Sequence, residues 1–232
     1  MKQISIADIA QSTTRIEAYA ATLSDSDVRQ PSALPDWSVG HVLSHIAFNA
    51  DAFVNCAAEL RARRPGTMYP DGIDARSQAI EAGSSRPANQ IVTHLRESSA
   101  AFAVAWAELP PTGPCATAPG MPEFSSDTLL LRRLREVEVH GTDTGFVALG
   151  FDQWSEPFVS VDLPTQWAVV SHRTDAHFGV VDETNHEWRV GEPIQELVPV
   201  KRSELLAWLL DRHALAGLPT LLGWGDQSRW KR

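Results

Sequence analysis

Cysteine is scarce: the 232 residues include only two, Cys56 and Cys115, too few for the disulfide framework of a small secreted domain. Basic charge is in short supply as well. Lys and Arg number 20 against 29 Asp and Glu, a formal net charge of −9, and the densest basic stretch is Arg61-Ala62-Arg63-Arg64. Such a surface repels phosphate backbones and anionic headgroups, so neither nucleic acid nor a membrane is an expected partner. No apolar run approaches the roughly 20 residues that span a bilayer. The N-terminus reaches Asp8 before any apolar signal core forms, so no secretory leader is expected and the cytoplasm is the expected location. Repeats, low-complexity tracts and lipidation motifs are missing too.

Apolar residues, by contrast, make up 43% of the chain, enough to build a core in one large domain or two small ones. Helical periodicity dominates the first two thirds. Ser5 predicts the cap of a helix of about 18 residues, and a Pro-stiffened connector (31–36) follows it. A long helix spans Ser38 to Arg63, with Val39, Leu43, Ile46, Ala50, Phe53 and Ala57 as its apolar stripe. Thr67 to Pro87 reads as a polar loop with one helical turn at most. A third helix runs from Ala88 to Leu109 and stops at Pro110-Pro111. After a loop over Thr112–Glu123, Ser125 or Ser126 opens a fourth helix reaching His140.

The pattern changes near Gly150. A helix over Glu156–Asp175 precedes short β-like runs at Phe178–Asp182, Glu187–Val190 and Glu196–Val200, with Asn185 and Gly191 supplying the turns. Ser203 then caps a last helix through Leu205, Trp208 and Leu209 to Arg212. The expected fold class is α+β and mostly helical. A four-helix metal-binding bundle (1–150) is followed by a small α+β domain (151–232).

Three places carry chemistry. His45 lies on the flank of the second helix, in line with Asn49, Ala52 and Cys56. An imidazole there either packs at a helix seam or serves as a ligand. Glu136 and His140 are one helical turn apart and share a face with Arg132, Arg133 and Asp143. Alone they fit a salt-bridged, solvated face. Together with His45 they form a two-histidine, one-carboxylate set, which suits zinc and leaves coordination positions open. His41, one turn before His45, is a competing ligand. Cys56 stands about 16 Å along the helix from His45 and is a poor fourth ligand; both cysteines read as structural. Arg212 continues an apolar helical face, where it either meets the helix dipole or reaches towards an anionic substrate.

The residues Trp37-Ser38-Val39-Gly40-His41-Val42-Leu43-Ser44-His45, Met68-Tyr69-Pro70 with Arg76, Arg133-Leu134-Arg135-Glu136-Val137-Glu138-Val139-His140, and Ala207-Trp208-Leu209-Leu210-Asp211-Arg212 resemble the mycothiol-dependent maleylpyruvate isomerase family. The resemblance covers nearly the whole chain. It implies a DinB-like up-and-down bundle, metal ligands at His45, Glu136 and His140, and a catalytic, substrate-binding arginine at Arg212. It also implies the activity: zinc stabilises the mycothiol thiolate, which adds to the cis double bond of maleylpyruvate, and elimination after rotation yields fumarylpyruvate. The partners would be a small carboxylate substrate and a low-molecular-weight thiol, acting on a monomer in aromatic catabolism. Which residues hold the thiol is left open. The chain departs from the family pattern at Asp211, where glycine is usual, and at Gly141-Thr142-Asp143-Thr144. Those departures keep a thiol transferase acting on another electrophile as the alternative, with a non-catalytic metal-binding module third.

Overall fold

Ser5 does start the first helix. Its hydroxyl accepts from the Asp8 amide while the Asp8 carboxylate accepts from the Ser5 amide at 2.8 Å, a reciprocal cap that satisfies two orphan donors. The resulting α1 (Ile6–Ala20) has 15 residues. Ser38 caps α2 (Val39–Arg61) in the same way, with the His41 ring in place of a carboxylate: Nδ1 accepts from the Ser38 amide at 3.1 Å. These coordinates, a computed structural model, describe residues 3–108, 112–194 and 196–224. Among the described residues, no helix is long and apolar enough to cross a membrane.

The apolar stripe expected on α2 is buried throughout. Leu43 and Ile46 share one core with Ile16 of α1, Ile91 and Leu95 of α4 (Ala88–Trp106), and Val137 of α5 (Leu129–Asp143). These four helices make the bundle, and the expected mostly helical α+β class holds. The expected end of α4 at Leu109, with its Pro110-Pro111 stop, lies outside the described residues.

Segment 67–87 is not a loop. It contains α3 (Gly72–Ser84), a helix of 13 residues that buries only Ile80, Gly83 and Ser84. So thin an apolar stripe leaves almost no periodic signal; the helix is held by its neighbours instead. A Cβ on Gly83 would lie 2.8 Å from the Phe48 ring and 3.1 Å from Ser44, so only glycine lets α3 settle directly on α2. The Arg29 guanidinium collects the carbonyls of Ser84, Ser85 and Arg86 at the end of α3, where helical carbonyls lack partners.

Segment 112–123 is more ordered than expected as well. Strand β2 (Pro114–Ala116) pairs antiparallel with β3 (Glu123–Ser125) and parallel with β1 (Gly66–Thr67). Strands of two or three residues are too short for alternation to register in sequence. The sheet sits on α2 at Cys56, whose Sγ lies 3.3 Å from that of Cys115. Both are buried free thiols whose pKa burial raises, inert packing groups as expected. Gly66 lies against both: a Cβ there would fall 2.4 Å from one sulfur and 2.9 Å from the other.

Residues Ile4–Gly150 form one compact unit and the chain from Phe151, with Gln3, another. In the second, α6 (Glu156–Trp167) ends well before Asp175. Pro164 removes a backbone donor from its last turn, and a 3₁₀ turn at Val170–His172 follows. Strand β4 (Phe178–Asp182) is central, antiparallel to β5 (Glu187–Val190) and parallel to β6 (Leu197–Val200). Asn185 and Gly191 have φ of 62° and 68°, the left-handed geometry their residue types favour. Helix α7 (Arg202–Leu209) is capped from Lys201 rather than Ser203, because the Glu204 carboxylate reaches back to the Lys201 amide at 3.2 Å. It ends short of Arg212, which therefore does not continue its apolar face.

Asp182 organises the β4–β5 turn. It accepts from the Thr184 amide and hydroxyl, the His186 amide and Trp188 Nε1, at 2.6–3.1 Å. Burial pushes this carboxyl up, but those hydrogen bonds outweigh it and bring the pKa from 3.8 down to about 2. The carboxylate therefore adds stability above pH 3.8 and gives it up as pH falls through 2. Asp182→Asn should cost about 2 kcal/mol at neutral pH. Denaturation at stepped pH should show the gap between wild type and variant closing as the wild-type carboxylate protonates.

Candidate functional site: a His–Glu–His cluster between α2 and α5

Arg133 sets the register between α2 and α5. It is fully buried and donates to the Ile46 carbonyl at 2.9 Å and to Asn49 Oδ1 at 2.8 Å. Burial lowers its pKa to about 10, so it stays a cation. Next to this crossing, the first unit brings His45 of α2 together with Glu136 and His140 of α5. One ligand atom from each lies within 4.8 Å of the other two. Both imidazole Nε2 atoms converge on one oxygen: Glu136 Oε2 is 2.9 Å from His45 and 3.5 Å from His140. The rings meet edge to face at 90°. Because Arg133 and Asp143 are buried, this face of α5 is not the solvated ion-pair surface that an isolated Glu–His spacing suggests.

The cluster has a defined proton distribution. Burial, reinforced by neighbouring His140, pushes His45 down to about 4. Burial acts the same way on His140, but hydrogen bonds to Asp143 and Glu136 prevail and raise it to about 9. Glu136 feels the opposite push from burial, which the hydrogen bonds from His140 and His45 overcome, holding its carboxyl well below the usual range. The resting set is a neutral His45, a cationic His140 and an anionic Glu136. His45 Nδ1 lies 3.0 Å from Arg76 Nη2 of α3. Arginine only donates, so this nitrogen accepts, and the ring's proton sits on Nε2, facing Glu136. To serve as a ligand through Nε2, His45 would have to move that proton from this nitrogen to Nδ1, the atom that now faces Arg76.

The donor set fits a divalent ion. Bonds of roughly 2.0–2.1 Å in a tetrahedral zinc site put neighbouring donors about 3.3 Å apart, between the two separations seen at Glu136 Oε2. His140 also has the outer partner that ligating histidines use: its Nδ1 donates to Asp143 Oδ2 at 2.8 Å. That role for Asp143 was open to sequence reasoning through its spacing of three from His140. The place of Arg76 was not, since its helix leaves no periodic trace. His41 is no competitor. Its Nδ1 is committed to the α2 cap and its Nε2 to Glu81 at 3.0 Å and Ser84 at 3.1 Å.

Residues 9–145 match the family described as mycothiol maleylpyruvate isomerase N-terminal domain. The chain belongs to this family. Two crystal structures share the fold: that of the mycothiol-dependent maleylpyruvate isomerase, at a TM-score of 0.79, and that of a histidine-to-alanine mutant, at 0.78. Each is 19% identical to the present chain and covers 94% of it and 95% of its own length. At that identity the likeness is one of fold. No curated protein matches the sequence.

Arg212 belongs to the second unit. Its Nη1 donates to the Leu210 carbonyl at 2.8 Å, and it lines a cavity of about 410 Å³ with Trp208, His213 and Leu218. The residue before it explains one departure from the family pattern. Asp211 has φ of 59°, a left-handed position where glycine is the unstrained choice. Here the carboxylate gives a return: it pairs with buried Arg173 at 2.9 Å and accepts from the Trp224 amide. Asp211→Ala should therefore cost about 2 kcal/mol, since it keeps the backbone strain and removes the anion from a buried guanidinium. Asp211→Gly should recover about 1 kcal/mol of that by relieving the strain. Urea unfolding of both variants tests the order; equal losses would remove strain from the account.

Proposed function

We propose that the protein is a mycothiol-dependent maleylpyruvate isomerase, converting the cis acid to fumarylpyruvate, with zinc held by His45, Glu136 and His140. The observation that carries this reading is the convergence of both imidazole Nε2 atoms on one Glu136 oxygen in a chain of this family. His45, Glu136 and His140 would hold the ion, which would stabilise the thiolate of a bound thiol near neutral pH, the nucleophile for reversible addition to a cis double bond. Asp143 orients the His140 ring so that Nε2 faces the cluster. Glu136, held as an anion, would offset part of the ion's charge. His140 must give up its proton to serve as a donor. Arg212, whose planar fork matches a carboxylate, is assigned to the substrate's carboxylate and to the enolate charge that develops on the keto side.

Metal analysis tests the ligand set. His45→Ala should lose stoichiometric zinc, and Asp143→Asn should weaken binding roughly 10–100-fold while the fold survives. Zinc retained at full affinity in His45→Ala would remove that ligand. Conversion of maleylpyruvate should require both zinc and mycothiol. Arg212→Ala should keep the metal and lose turnover, and Arg212→Lys should regain little, because a point charge lacks the bidentate fork. A metal-loaded protein that binds mycothiol but forms no fumarylpyruvate would shift the assignment to a thiol transferase with a different electrophile.

A further inference from the structure

We propose that Arg173 and Asp211 are positioning residues, which hold Arg212 in the one place where it can receive a substrate carboxylate. This rests on the isomerase reading above, which assigns Arg212 to the substrate, and adds what fixes that arginine.

Helix α7 ends at Leu209 and the chain turns sharply after it. Asp211 is left-handed, with φ of 59°, and the Arg212 amide reaches back to the Ala207 carbonyl at 2.8 Å. One buried guanidinium grips this turn. Arg173, which is 1% exposed, donates from Nη1 to the Leu209 carbonyl and from Nη2 to Asp211 Oδ1 at 2.9 Å. The two gripped residues flank Leu210, and the Leu210 carbonyl accepts from Arg212 Nη1 at 2.8 Å. Arg173 therefore reaches the Arg212 guanidinium through a single residue. Its donors lie in one rigid plane, so they fix the direction as well as the position of what they hold.

The same arginine ties down the segment that completes the cavity. Its Nε donates to the Leu222 carbonyl at 2.8 Å, and its own carbonyl accepts from the Leu222 amide at 2.9 Å. Asp211 Oδ2 accepts from the Trp224 amide, and Trp224 Nε1 donates to Gln166 Oε1 at 2.9 Å. Between the turn and these ties, Leu215, Leu218 and Thr220 line the cavity of about 410 Å³ to which Arg212 also contributes. Loss of the Asp211 carboxylate thus loosens the turn beneath Arg212 and the segment beside it together. Glycine at this position would keep the left-handed turn without strain but would have no anion to offer Arg173. That difference separates positioning from folding.

Steady-state kinetics of the zinc-loaded protein with maleylpyruvate and mycothiol test this on Asp211→Gly, Asp211→Ala and Arg173→Lys. Both aspartate variants should raise KM for maleylpyruvate about tenfold, although the glycine variant is the more stable. Zinc content and KM for mycothiol should stay as in wild type. A purely structural role would instead follow stability, lower the amount of active enzyme and leave both KM values alone. Arg173→Lys keeps the charge without the fork and should show the same selective rise; if it does not fold, the aspartate variants decide. Adding Asp211→Gly to Arg212→Ala should not lower the residual rate further, because the tie then holds no guanidinium. Wild-type KM for maleylpyruvate in Asp211→Gly, beside an Arg212→Ala that has lost turnover, would overturn the positioning role and leave the isomerase reading standing. Wild-type kcat/KM in Arg212→Ala would remove that arginine from the reaction and the positioning role with it. A wild-type protein that converts no maleylpyruvate would overturn both readings.

Discussion

A guanidinium taken out of water must find oxygen, and Arg133 finds it in α2 rather than in its own helix. Its bonds to the Ile46 carbonyl and Asn49 Oδ1 hold two helices at one register, and the chemistry-bearing residues flank that crossing on both sides. His45 precedes Ile46 in α2, and Glu136 follows Arg133 by three residues in α5. A shift of one residue in either helix would carry an imidazole about 100° around its axis and dissolve the cluster. The arginine matters less as a charge than as a gauge of alignment.

The cluster is a balance of burial against pairing. Each of its three groups is pushed towards its neutral form by desolvation, and only His45 yields. Glu136 and His140 keep their charges because each faces the other, and Asp143 adds a second carboxylate to His140. This leaves a proton on the Nε2 of both imidazoles and none on Glu136, so loading the site would shift one proton within His45 and release one from His140. The Arg76 contact on the far side of His45 links that exchange to a third helix.

Legibility in the sequence followed how far each signal extends along the chain. The long stripe of α2, the Ser5 cap and the β4–β5 turn were readable because each rests on nearby residues and local contacts. The Glu136–His140 pair was readable by spacing; its meeting with His45 is a tertiary fact that residue types suggested as a donor set and the family resemblance made specific. Helix α3 was missed because close approach at Gly83 and the grip of Arg29 hold it, neither of which leaves a periodic mark. The strands of the small sheet were missed because they are shorter than one alternation. Ser203 was expected as the cap from residue type alone, although the reciprocal bond from Glu204 puts the cap at Lys201.

The packing of Gly66 between Cys56 and Cys115 has a bearing on how this chain can vary over time. No side chain fits at position 66 while either sulfur stays where it is, so a mutation there is admissible only after both thiols have been exchanged for something smaller. A reduction at 56 or 115, taken first, opens a void instead. The three positions thus form one heritable unit, crossed together or not at all. Strand β1 runs from Gly66 to Thr67 and leads on to the segment before α3, so drift at this distant-looking trio would be felt at the start of that helix. Among relatives, joint substitution at 56, 66 and 115 would be the trace of such a crossing.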